Sequence, residues 1–253
     1  MALLSGCARE GRAGSITLAG STSVQPFAEI LAEEYARRYP ERPSVNVQGG
    51  GSSAGARAAM SGTAHIGMLS RELAGSEREL TPTVIAVDAL ALIVHRDNAV
   101  TELTKEQIKG IFSGRITDWS ELGGAPGPIH VISREAGSGT RDAFDGLVME
   151  GEDVLPRAIV QDSNGAVRET VAGDPRAIGY VSLGLVDDRV KAVKVDGVEA
   201  SVETVRAGEY ILVRPFLFVT KGEVPTGVKE FMEFVMGEEG QSILAGEGLV
   251  RAK

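Results

Sequence analysis

Three times before Phe144 the chain passes from a short apolar run, through a turn of glycines and hydroxyl residues, into residues at helical spacing. Ile16-Thr17-Leu18-Ala19 leads through Gly20-Ser21-Thr22-Ser23 into residues 27–39, where Phe27, Ile30, Leu31, Tyr35 and Tyr39 share one face. Val45-Asn46-Val47-Gln48 leads through Gly49-Gly50-Gly51-Ser52-Ser53 into residues 54–61. Residues 129–132 lead through residues 133–140 into Arg141-Asp142-Ala143-Phe144. Repeated units of this kind fold as α/β sheets, which bind ligands outside the carboxyl ends of their strands. A further apolar segment, His65-Ile66-Gly67-Met68, ends in Leu69-Ser70-Arg71-Glu72-Leu73 and places a hydroxyl and a cation at a similar point.

Each turn is an anion site in outline, because the first N–H groups of a helix lack partners within it and carry the positive end of its dipole. In residues 133–144, Gly137 and Gly139 permit close approach, Ser138 and Thr140 add hydroxyl donors, and Arg134 and Arg141 add forked cations. The same hydroxyls, and those of Thr22 and Ser23, would equally serve as helix caps. The residues alone leave both readings open.

Charge narrows the ligand. A formal net charge of −9 gives no long-range attraction for nucleic acid or anionic membranes, so any anion site is local, built from N–H dipoles and a few arginines. Glycine, at 32 of 253 residues, is nearly twice its ~7% average usage, which implies many tight turns. No stretch approaches the ~20 apolar residues needed to span a bilayer.

Two long apolar runs, residues 84–94 and 210–220, are suited to crossing between lobes, and Pro215 suits a strand that begins or bends there. They divide the chain into a discontinuous first lobe, residues 15–92 and 213–253, and a second lobe, residues 93–212, after a tail of residues 1–14. Elsewhere, Thr104-Lys105-Glu106-Gln107 reads as a capped helix start, Trp119 as packing, residues 167–171 as helix, residues 177–181 and 193–197 as strands, and residues 227–249 as helix with Val228, Phe231, Phe234 and Val235 inward. Leu3-Leu4-Ser5-Gly6-Cys7 looks like the end of a bacterial lipoprotein signal, which would lipidate Cys7, although the segment ahead of it lacks a charged region; a plain tail is the alternative. Cys7 is the only cysteine, so no internal disulfide forms. His65, His95 and His130 lie in or beside apolar strand patterns and read as structural or surface residues, which argues against a serine hydrolase. No spacing of Asp, His or Cys suggests a metal-dependent phosphatase.

Taken together and in order, Gly20 to Ser23, Gln48 to Ser53, Ser70 to Leu73, residues 103–124 with Ile111-Phe112-Ser113-Gly114 and Asp118-Trp119, Arg134 to Arg141, and Ala177 to Tyr180 resemble the phosphate-binding (PstS-type) proteins of bacterial high-affinity phosphate ABC transporters, in their shorter form. The resemblance covers nearly everything from Ser15 onward. It implies a type II periplasmic-binding-protein fold, two α/β lobes joined by two crossover segments, holding inorganic phosphate with neither metal nor cofactor. By position it places the ligands at Thr22, Ser23, Ser52, Ser70, Arg134, Ser138, Gly139 and Thr140, with Arg71 as a further candidate. It also implies a non-enzymatic protein in the periplasm or at the cell surface that delivers phosphate to a permease. Membrane contact would come only through a lipid anchor, and a clamp that must open favours a monomer.

The chain departs from the longer members of that family, which carry aspartate where this sequence has Ser70 and near the arginine where it has Ala136. Glu72, Glu135 and Asp142 are candidate substitutes, and sulfate, molybdate or tungstate stand as alternative ligands on the same scaffold.

Overall fold

Ile16 and Leu18 are buried and alternate with less buried neighbours, and this run forms strand β1 (Ile16–Gly20). The computed structural model describes residues 14–252, so the motif ending at Cys7 lies outside the described residues. After β1 come α1 (Gln25–Arg38), β2 (Val45–Gly49), α2 (Ser52–Ser61), β3 (Ile66–Leu69) and the long β4 (Thr81–His95). The middle of the chain supplies β5 (Glu102–Leu103), α3 (Lys105–Ser113), β6 (His130–Arg134), α4 (Gly139–Phe144), β7 (Ile159–Gln161), α5 (Asn164–Gly173), β8 (Ala177–Ser182), β9 (Val190–Ala192), β10 (Lys194–Val195) and α6 (Val202–Arg206). The chain closes with β11 (Val213–Thr220), α7 (Thr226–Met236), α8 (Glu238–Gly246) and β12 (Val250–Arg251).

The main sheet runs β2-β1-β3-β11-β4-β8-β6-β7. β1 is parallel to β2 and β3, and β6 is parallel to β7 and β8, as strand–helix–strand units require. Between these parallel sets lie the antiparallel β4 and β11. β4 changes partner along its length, pairing from Thr81 to Ala89 with β11 and from Leu90 to Val94 with β8. The two long apolar runs are therefore the crossover segments, hydrogen-bonded to each other. Pro215 stands opposite Val87, and β3 reaches β11 only at Leu217 to Val219, so the proline occupies a stretch paired on one side.

One apolar cluster is drawn from residues between Ala89 and Leu212, while two others join residues near the two ends. In the first, Phe144 stacks on Tyr180 at 4.2 Å and Phe112 lies 4.5 Å from Phe144. In the second, Tyr35 packs against Phe231 and Phe234. Burying side chains of this size is worth about 1.5–3 kcal/mol each. Trp119 is buried, with its indole N–H on the Arg176 carbonyl, and acts as packing.

Two sequence expectations are modified. The helical stretch expected over 227–249 is two helices, because Gly237 takes an extended conformation (φ −73°, ψ 168°) between α7 and α8. The strand expected over 193–197 shortens to β10, since Val195 and Val198 bond to each other across a turn containing Asp196 at φ 49°.

Candidate anion-binding site

The three turns after β1, β2 and β6 meet where the lobes touch. In the first turn the Ser21 carbonyl accepts from the N–H groups of Val24 and Gln25, and no side chain caps α1. The hydroxyls of Thr22 and Ser23 are thus released from capping. In the third turn the cap reading holds for Ser138, whose Oγ accepts from Arg141 N at 3.3 Å. Thr140 is not the cap and its hydroxyl turns elsewhere.

The second-lobe core positions the end of β6. Tyr180 hydrogen-bonds Ser133 Oγ at 2.8 Å and accepts from Arg134 N at 3.3 Å, and burial pushes its phenol up to about 12. Arg134 is 1% exposed. Its Nε and Nη2 lie on the Glu135 carboxylate at 2.8 and 2.9 Å, and Nη2 also reaches Thr22 Oγ1 at 3.3 Å in the other lobe. Its Nη1 is buried without a partner. A guanidinium held rigidly through Nε and Nη2 and unpartnered at Nη1 keeps two N–H protons of a buried cation to offer an anion.

Around it the hydroxyls converge. Ser23 Oγ lies 2.8 Å from Thr140 Oγ1, across the lobes. Ser52 Oγ accepts from Ser70 N at 3.1 Å and lies 3.4 Å from Ser70 Oγ, which accepts from Ser21 Oγ at 2.9 Å. Ser53 N donates to the Gly137 carbonyl at 3.1 Å, joining the second and third turns backbone to backbone. A Cβ on Gly139 would lie 2.1 Å from Ser52 Oγ and 2.6 Å from Ser70 Oγ, so only glycine permits this approach. Thr22, Ser23, Ser52, Ser70, Arg134, Ser138, Gly139 and Thr140 are therefore brought together.

Arg71 stands apart from this group. Its five N–H protons meet Asp142 through Nε at 2.6 Å, Glu77 at 2.6 and 2.9 Å, the Glu72 carbonyl at 2.9 Å and Ser53 Oγ at 3.1 Å. Nothing is left to offer a ligand. The hydrogen bond from Arg71 holds the Glu77 carboxyl below its ordinary value.

Three participants were absent from the sequence expectations. Ser21 orients Ser70. Asn164, at the start of α5 and fully buried, donates its two Nδ2 protons to Ser23 Oγ at 2.9 Å and Thr22 Oγ1 at 3.2 Å, with Thr140 Oγ1 farther off at 3.4 Å, while its Oδ1 has no partner. Arg214 of β11 donates to Ser23 Oγ at 3.1 Å and pairs with Asp88, its cross-strand partner in β4, at 2.9 Å. Burial raises the Asp88 carboxyl and lowers the Arg214 guanidinium, each opposed by the other's charge. Ser182 Oγ completes the carboxylate at 2.8 Å.

No histidine hydrogen-bonds a hydroxyl of the cluster. His65 Nδ1 accepts from Thr17 N, His95 Nδ1 from Asp97 N, and His130 Nδ1 meets Asp174 at 2.6 Å. A serine of the cluster therefore has no histidine hydrogen-bonded to it.

A PBP superfamily domain model matches residues 7–239. A Bacillus subtilis relative named phosphate-binding protein PstS is 33% identical over 247 residues, covering 95% of this chain and 82% of the relative. The chain belongs to the PstS family. A phosphate-bound crystal structure from Clostridium perfringens, of a chain assigned as a phosphate ABC transporter substrate-binding protein, superimposes with a TM-score of 0.92 at 46% identity, covering 95% of this chain and all of that one. An ABC-type phosphate transport receptor from Vibrio cholerae gives 0.78 at 37% identity, covering 94% and 100%. The type II periplasmic-binding-protein fold, two α/β lobes with two crossover strands, follows from these likenesses and the observed topology. Arg134 is supported by Glu135, adjacent in sequence, and Ala136 beside it is exposed.

Proposed function

We propose that this protein binds inorganic phosphate between its lobes and presents it to the permease of an ABC transporter for uptake. The observation that carries the reading is the unpartnered Nη1 of buried Arg134 in a ring of hydroxyls drawn from both lobes. Burying an oxyanion without partners would cost many kcal/mol, so the shell must be nearly all donors around one strong charge. Arg134, Thr22, Ser23, Ser52, Thr140 and the start of α4 at Ser138 and Gly139 meet that requirement. Arg71 serves as a bridge that holds the lobes together rather than as a ligand.

Near neutral pH phosphate keeps at least one proton and sulfate keeps none, so one fixed acceptor separates the two. Ser70 fills that place. Its Oγ accepts from Ser21, and when its own proton turns to Ser52 a lone pair remains for the phosphate O–H. A hydroxyl rejects sulfate less strongly than a carboxylate does, which favours sulfate or another oxyanion as the second reading.

Capture proceeds by closure. Phosphate docks on the Thr22, Ser23 and Ser52 side, and the Arg134 and Thr140 side swings over it. The ligand contacts both lobes only in the closed state and shifts an existing equilibrium toward it. The protein acts without catalysis, as a monomer, in the periplasm or at the cell surface, with Cys7 as its attachment to the membrane. The two lobes divide at residues 92/93 and 212/213, within the crossover strands or at their ends.

Isothermal titration of the ligand-stripped protein with phosphate and then sulfate, at pH about 7 and about 8.5, tests the reading. Tight phosphate binding with little sulfate response is expected. Sulfate affinity equal to that for phosphate, or response to neither, overturns the ligand while leaving the fold in place.

A further inference from the structure

We propose that Asn164 is a positioning residue that fixes the hydroxyls of Thr22, Ser23 and Thr140 as donors toward the anion, and so sets which protonation state of the anion the site prefers. The proposal rests on the phosphate reading above and deepens it.

The argument is a count of protons. A hydroxyl has one proton and two lone pairs. Ser23 Oγ receives N–H groups from Asn164 at 2.9 Å and Arg214 at 3.1 Å, and neither donor can accept in return. Both lone pairs are filled, so its proton must point outward, and Thr140 Oγ1 at 2.8 Å is where it goes. Thr140 then accepts from Ser23, with Asn164 at 3.4 Å beyond it, and its own proton is free for a ligand. Thr22 Oγ1 faces two donors, Asn164 Nδ2 at 3.2 Å and Arg134 Nη2 at 3.3 Å, the second shared with the Asp162 carbonyl at 3.3 Å, so its own proton is what it turns to a ligand.

The amide's two protons thus set Ser23 and Thr22 directly and Thr140 through Ser23, one polarity for three hydroxyls from two lobes. The charged groups around it act in the same sense: Arg134 with Glu135 on one side, Arg214 with Asp88 on the other. Without the amide, Thr22 and Thr140 could rotate to accept a proton, and the shell would take the protonated anion more readily.

The test is titration of phosphate into the full chain, wild type and variants, at pH about 5.5 and about 8.5, with melting temperature as a check on folding. Asn164→Ala should weaken binding about tenfold at the higher pH and clearly less at the lower, because freed hydroxyls can receive the proton of the monoanion. Asn164→Asp should lose at least about a hundredfold at the higher pH, since a carboxylate captures the protons of Thr22 and Ser23, and should recover part of that loss in acid. Equal losses for Asn164→Ala at both pH values, or an aspartate variant no weaker than the alanine variant, would overturn the proposal. Should the aspartate variant fail to fold, the pH ratio of the alanine variant decides alone. A wild type that does not bind phosphate overturns the functional reading, and this proposal with it.

Discussion

Two sets of polar residues cross between the lobes, and they are built on opposite principles. The Arg71 bridge joins Glu77 of the first lobe to Asp142 of the second, and each guanidinium proton has a partner. The hydroxyl cluster around Arg134 is more deeply buried and leaves Arg134 Nη1, Arg214 Nη1 and Asn164 Oδ1 without partners. A buried polar group without a partner costs about 1–3 kcal/mol, so three in one place are retained for a reason other than stability. Saturated pairing marks a structural bridge, and unsaturated donors mark a place for a ligand. The two arginines, alike in sequence context as Ser70-Arg71-Glu72 and Ser133-Arg134-Glu135, therefore have different work.

The sharpest way to break this contrast is to remove the unsaturated arginine. Arg134→Ala should weaken phosphate binding by about 2–5 kcal/mol, because the anion loses its one paired charge while staying buried. Affinity near wild type in the same titration would remove Arg134 from the shell. Next in size is Gly139→Ala. Its methyl would stand against Ser52 and Ser70 at distances no Cβ adopts, so the closed state should lose about 1–3 kcal/mol and phosphate affinity with it. Unchanged affinity would mean that binding does not require the lobes to come this close.

The strand, turn and helix units are legible in the sequence because periodicity and turn chemistry are local properties. Thr22, Ser23 and Ser52 were findable for that reason, and Gly139 for its place beside a helix start. Asn164 follows the same grammar, after Ile159-Val160-Gln161-Asp162-Ser163, but β7 is short and its Ile159 and Val160 are exposed, which blurs the strand signal. Arg214 and Asp88 are hidden differently. Each is the one charge inside a long apolar run, and only the register of β4 against β11 makes them a pair. A lone cation in one buried run and a lone anion in another was the available signal. The roles of Arg71 and Arg134 could not be told apart in sequence, since both sit between a serine and a glutamate; the difference lies in tertiary partners.

A third change sharpens the acceptor side. Ser70→Asp should raise the preference for phosphate over sulfate by about 1–3 kcal/mol, because a carboxylate faces sulfate with lone pairs only. An unchanged ratio by competitive titration would take Ser70 out of that role.

The smallest effect should come from the saturated bridge. Glu77→Gln leaves Arg71 paired with Asp142, and a partly exposed ion pair is worth only about 0.2–1 kcal/mol, so phosphate affinity should hold within a few fold. The pH dependence is more telling. The Glu77 carboxyl is held below its ordinary value chiefly by the Arg71 hydrogen bond, so its stabilisation is fully present above the unfolded value near 4.5 and is lost as pH falls through the lower folded value. Melting curves of the ligand-free protein from pH about 5.5 down to about 3.5 should therefore fall less steeply in Glu77→Gln than in wild type. Parallel curves would show that the bridge contributes nothing in the absence of ligand. A loss of phosphate affinity beyond about tenfold in Glu77→Gln would be more damaging, since it would place Arg71 in the anion shell and erase the distinction between the two arginines.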